Sequence, residues 1–194
     1  MSDTFITVVS GLPRSGTSLM MQMLSAGGMP LLTDSHRPPD CSNPRGYFEY
    51  ERVKHLAKDS DWLGEARGQA IKIVCPLVKH LPLAESYRVV LMRRAIMDIV
   101  ASQRIMLTRL GKSGANLSDA RLANLLSEQL NDTENWIKRQ TSVTLLAIDF
   151  QTALLYPVET ARVINGFLGG RLAEDAMAGT AVANPTRPMP LPVC

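Results

Sequence analysis

The residues best equipped for chemistry lie close to the N-terminus. The stretch "VVSGLPRSGTSLMMQML", residues 8–24, runs from an apolar strand through a glycine loop into a helix. Gly11 and Gly16 have the spacing of a phosphate-binding loop. Such a loop aims several backbone N–H groups at one spot, and the helix N-terminus adds partial positive charge, so an anion is expected there. Thr17 and Ser18 add hydroxyl donors, and Arg14 adds a cation. In the pattern GxxxxGK[ST] the lysine reaches the β- and γ-phosphates. Here that position is Thr17. The substitution argues against a metal-bridged triphosphate and for one phosphate with a charged group attached.

A second constellation follows in "LMRRAIMDIVAS", where Arg94 ends a strand and Asp98, Ile99 and Ser102 follow on a helix. Arg93 stands beside Arg94 at the same strand end. Asp34, His36 and Glu49 sit in or beside a long turn-rich segment and are the candidate proton acceptors. Lys72, in "IKIV", is a charge inside a strand, which belongs either at a sheet edge or in a site. His55 and His80 have no metal-ligand spacing and read as plain helix or loop residues.

The elements that must position these groups alternate between strand and helix. "FITVVSG", "MPLL", "AIKIVCP", "YRVVLMRR" and "SVTLLAI" read as five strands. Apolar residues at helical spacing mark helices after the loop, over residues 96–110 and over 158–168. "YFEYERVKHLAKD" also reads as helical. Ser118 is placed to cap a long helix carrying Leu122, Leu125, Leu126, Trp136 and Ile137. Residues 34–46 form a loop long enough to suggest function. Strands separated by helices imply a mostly parallel five-stranded sheet in a three-layer α/β/α arrangement, with ligands beyond the carboxyl ends of the strands.

The 194 residues suit a single domain spanning 1–194, closed by a proline-rich tail at 183–194. With 45% hydrophobic residues the chain can bury a core. A net charge of +3 without a basic run, and only 5% aromatic residues, speak against nucleic acid as a partner. Cys41, Cys75 and Cys194 are too few and too scattered for a disulfide framework. No apolar run approaches the roughly 18 residues of a membrane span. The polar start "MSDT" shows no signal peptide, so a cytoplasmic protein is expected. The sequence leaves open whether the chain forms homo-oligomers.

"GLPRSGTSLM" resembles the 5′-phosphosulfate loop of sulfotransferases that use 3′-phosphoadenosine 5′-phosphosulfate (PAPS). Arg94 and Ser102, eight residues apart with Asp98-Ile99 between them, resemble that family's 3′-phosphate site. "LLAIDFQTALLYPVETARVINGFLG" is similar to the strand, acidic-aromatic turn, proline and helix that the family often shows. The likeness implies a P-loop nucleoside triphosphate hydrolase-like fold and transfer of a sulfuryl group to a hydroxyl or amine. It implies PAPS or its product PAP as co-substrate, with no metal required. It also implies a donor site of Pro13, Arg14, Ser15, Gly16, Thr17, Ser18, Arg94 and Ser102. Arg14 would also be catalytic, with Asp34 or Glu49, or else His36, as the base. The acceptor would be a small molecule, lipid or carbohydrate, with residues 112–140 as cover over it. The family's C-terminal Arg-Lys-Gly loop is missing. Two alternatives stand beside this reading. One is a P-loop kinase or nucleotide hydrolase with Asp149 holding a metal ion. The other is an adenine-nucleotide-binding module without turnover.

Overall fold

A computed structural model describes residues 5–34, 36, 38–40, 43, 45–112, 114 and 117–182. The proline-rich tail, Cys41 and Cys194 lie outside the described residues. Four strands form one parallel sheet: β1 (Phe5–Gly11), β2 (Ala70–Lys72), β3 (Ser86–Arg93) and β4 (Val143–Asp149), in the order β2-β1-β3-β4. Seven helices accompany them among the described residues. These are α1 (Thr17–Ala26), α2 (Cys75–Val78), α3 (Ile96–Arg109), α4 (Asp119–Lys138), α5 (Phe150–Leu155), α6 (Pro157–Leu168) and α7 (Glu174–Val182).

Strand alternation builds the two cores. On β1 and β3, Ile6, Val8, Val89 and Leu91 face α2, α3 and α4, while Val9, Val90 and Met92 face α1, α5, α6 and α7. Successive side chains point to opposite faces, so a strand buried on both sides is mostly apolar. In β1, Ile6, Val8 and Val9 are fully buried, and Thr7 and Ser10 are the buried polar exceptions. The result is the expected α/β/α stack.

Three details depart from the sequence reading. The segment "MPLL" is not a full strand; it adds one parallel bridge, Leu31 to Ala70, at the β2 edge. Pro30 has no N–H to extend a ladder, so the pairing is limited to Ala70 N–H to Pro30 O and Leu32 N–H to Ala70 O. The sheet therefore has four strands instead of five. In "YFEYERVKHLAKD" only a short 3-10 turn forms, Glu51–His55. Finally, α7 carried no readable signal, because its buried face is built from Met177, Ala178 and Ala181 in an alanine-rich run. It is held at α1: a Cβ on Gly27 would lie 2.7 Å from Met177 Cγ, and Ala173 N–H donates to Gly27 O. No helix among the described residues is long and apolar enough to cross a membrane.

Candidate active site

The carboxyl ends of β1 and β2 and the N-terminus of α1 frame a cavity of about 360 Å³. Its lining includes Arg14, Gly16, Thr17, Ser18, Lys72 and Arg94, with Glu49 as the carboxylate. β1 ends at Gly11, and the chain turns with Ser15 N–H donating to Leu12 O. Gly16 then caps α1 in the left-handed region at φ 102°, and no side chain caps the helix. The first-turn N–H groups have no acceptor within the helix by construction. Gly16, Thr17, Ser18 and Leu19 of this turn line the cavity, with the positive end of the helix dipole behind them.

The tightness of the turn explains the glycines. A Cβ on Gly11 would lie 2.3 Å from Ser15 Oγ and 2.9 Å from Met92 O. A Cβ on Gly16 would lie 2.3 Å from Phe150 Cδ2. Arg14 is itself left-handed at φ 76°, a conformation uncommon for a residue with a side chain. Ser15 is buried, and its Oγ has no hydrogen-bond partner.

Two arginines meet here from distant parts of the chain. Arg14 Nε donates to Ser102 Oγ at 2.9 Å. Arg94 donates to Arg14 O at 3.2 Å and lies 4.8 Å from the Phe150 ring centroid. The Asp98 carboxylate is 3.7 Å from Arg94 Nε, which is buried without a hydrogen bond. Burial pulls the Arg14 pKa below the ordinary arginine value, and the Arg94 charge adds to this, while Tyr47 and Asp40 oppose it. Two guanidiniums lining one cavity favour an anionic ligand there. Arg93 turns the other way and forms a paired contact with Glu134 on α4.

Lys72 was only half legible in the sequence, since edge and site were alternative readings. It is both. β2 is an edge strand, and alternation puts Lys72 on the same face as Ala70, the α1 face. Its Nζ donates to Tyr47 O at 2.6 Å, lies 3.4 Å from Ser18 Oγ and pairs with Glu49 at 3.7 Å. Asn43 Nδ2 donates to Ser18 Oγ at 3.0 Å, and the Tyr47 hydroxyl donates to Asp40. Asn43 and Tyr47 thus reach the first turn of α1.

The candidate bases separate. Glu49 lines the cavity. Asp34 does not; its carboxylate accepts the N–H groups of His36, at 3.0 Å, and of Glu51. Partial burial pushes the Asp34 pKa up, but those two amides outweigh it and hold the carboxyl below its ordinary value. His36 is exposed. Pro13 lines the cavity, and its carbonyl accepts from Gln103 Nε2 at 3.3 Å. α4, at the centre of residues 112–140, gives no side chain to the cavity lining. Asn43, Tyr47, Phe150 and Gln22 were not singled out from sequence, and no spacing rule would have found them.

No family model matches the chain, and no curated protein matches it either. Solved structures do. A sulfotransferase from Alicyclobacillus acidocaldarius is 17% identical, over 88% of this chain and 82% of its own, with a TM-score of 0.52. The sulfotransferase domain from the curacin biosynthetic pathway is 13% identical, over 87% and 75%, at 0.51. Retinol dehydratase, solved in a complex with retinol and PAP, is 15% identical over 93% of this chain at 0.51. This chain spans only 64% of that protein. The parallel sheet, its two helical layers and the glycine loop at the carboxyl end of β1 thus share the α/β/α fold of these sulfotransferase structures.

Proposed function

We propose that this protein moves a sulfuryl group from PAPS to a hydroxyl or amine of a small acceptor. One observation carries the reading: the first turn of α1, Arg14 and Arg94 line a single cavity. The residues fit the donor. Among the described residues, three cations line the cavity against one carboxylate, and Arg94 Nε is buried without a hydrogen-bond partner. Buried polar groups of that kind call for a polar ligand.

When bound, PAPS supplies an activated sulfuryl group whose leaving group is the 5′-phosphate. Arg14, the α1 amides and the Thr17 and Ser18 hydroxyls would hold that phosphate and the charge that grows on it. Electrostatic stabilisation by fixed donors is commonly the largest catalytic contribution. Arg94 and Ser102 would hold the 3′-phosphate. Glu49 would take the acceptor's proton as its oxygen or nitrogen attacks sulfur. Glu49 is preferred to Asp34 because it faces the cavity, whereas Asp34 is occupied by two amides. Lys72 holds Glu49 from the strand side.

The kinase reading finds less support. Asp149 caps α5, accepting from Thr152 N–H at 2.9 Å, and it does not line the cavity. The binding-module reading is weakened by a carboxylate poised beside the cradle. Thermal-shift measurements with PAP, PAPS, ATP and ADP, each with and without magnesium, test the proposal. PAP and PAPS should stabilise most, regardless of magnesium, because ligand stabilisation follows affinity. A dominant, magnesium-dependent response to ATP overturns it.

A further inference from the structure

Among the described residues, three buried side-chain polar atoms lack a hydrogen bond: Ser15 Oγ, Arg94 Nε and Gln22 Oε1. Ser15 Oγ lies inside the glycine turn, and Arg94 Nε belongs to the proposed donor site. Gln22 is left over. It is 9% exposed, lines the same cavity, and follows Ser18 by one helical turn on α1. Residues four apart share a helix face. That face belongs to the side of the cavity where Ser18 meets Asn43, Tyr47 and Lys72, and where Lys72 pairs with Glu49. Packing does not account for the amide. Met21 and Met23 beside it are fully buried, and a leucine would fill a similar volume without an orphaned dipole.

We propose that Gln22 is a specificity-determining residue that reads the acceptor. Its amide would bond a second hydroxyl besides the one whose proton passes to Glu49. The inference rests on the sulfotransferase reading above. The chemistry selects a hydroxyl: it donates to an amide oxygen and accepts from an amide N–H, so it satisfies Gln22 in either orientation. A cationic amine is disfavoured in a cavity that already holds Arg14, Lys72 and Arg94. Gln22 and Glu49 line one cavity of about 360 Å³, so a single small acceptor that meets both would carry at least two hydroxyls. The acceptor class is therefore a polyol, such as a sugar or cyclitol, and not a lone apolar alcohol.

Calorimetry on the full chain tests this in two stages. PAP is titrated first into wild type, Gln22→Leu and Gln22→Glu. Methyl α-glucopyranoside and cyclohexanol, rings of equal size with many hydroxyls and one, are then titrated into the PAP-loaded proteins. Wild type should prefer the glucoside. In Gln22→Leu that preference should fall roughly tenfold, the usual scale for a lost buried hydrogen bond, with PAP affinity unchanged. Gln22→Glu, which keeps an accepting oxygen, should retain the preference. Absence of a glucoside preference in wild type, or its survival in Gln22→Leu, overturns the inference and means that water alone satisfies the amide. Failure of wild type to bind PAP defeats the sulfotransferase reading itself, and this inference with it.

Discussion

Arg14 Nε donates to Ser102 Oγ at 2.9 Å, joining the glycine loop to α3 across 88 residues of chain. Arg94, from the end of β3, braces the same loop through Arg14 O. The loop cation is thereby fixed from two elements, even though its own backbone occupies an uncommon conformation. Persistent strain of that kind requires over-determination by the surroundings.

Arg14→Ala and Arg94→Ala should each weaken PAP binding by about 2–5 kcal/mol, the usual cost of losing one partner of a buried charged contact. Ser102→Ala should cost less, because it removes a neutral hydroxyl. Isothermal titration calorimetry measures all three. Unchanged affinity in both arginine variants would remove the donor site as drawn.

Glu49→Gln should slow sulfuryl transfer by roughly 100-fold or more, the scale of general base catalysis. PAP affinity should stay close to that of wild type. Asp34→Asn should leave transfer nearly intact. A collapse of transfer in Asp34→Asn with normal turnover in Glu49→Gln reverses the assignment of the base.

Asp34 instead predicts a pH effect on stability. Its carboxyl is held below the ordinary value by two backbone amides, so it binds its proton less readily in the folded chain. Its contribution is therefore present above the unfolded pKa and lost as pH falls through the lower folded value. Urea midpoints of wild type should decline below about pH 4 more steeply than those of Asp34→Asn. Parallel acid limbs would contradict the arrangement.

Gly16→Ala should destabilise the fold and spoil the cradle together. The methyl meets Phe150, whose ring lies beneath Arg94, and the backbone is left-handed at φ 102°. The left-handed penalty is about 1–2 kcal/mol, and overpacking adds roughly 1–3 kcal/mol. Chemical denaturation and PAP titration on one preparation would show both losses.

Cys75 should be inert in the native protein. It is buried, and burial pushes its thiol pKa up to about 11. Only the thiolate reacts, and at pH 8 that form is about a thousandth of the thiol. Alkylation followed by peptide mass spectrometry should find Cys75 unmodified until denaturant is added.

The sequence alone determined the local pieces. The strand, glycine turn and helix of residues 5–26 follow from apolar runs punctuated by glycine. The Ser118 cap, whose side chain accepts Arg121 N–H, follows from residue type and position. The parallel three-layer plan follows from alternation of strand and helix. These are short-range signals, set by periods of two and 3.6 residues and by backbone stereochemistry. Tertiary structure decided the rest. Arg93 and Arg94 are adjacent in sequence, yet one pairs with Glu134 and the other enters the cavity. Asp34 and Glu49 were equivalent carboxylates until backbone amides occupied the first and the cavity received the second. Lys72 and Gln22 gained their surroundings only when α1, β2, Asn43, Tyr47 and Glu49 packed together. Such choices depend on which groups meet across tens of residues, and no periodic pattern in the chain encodes that.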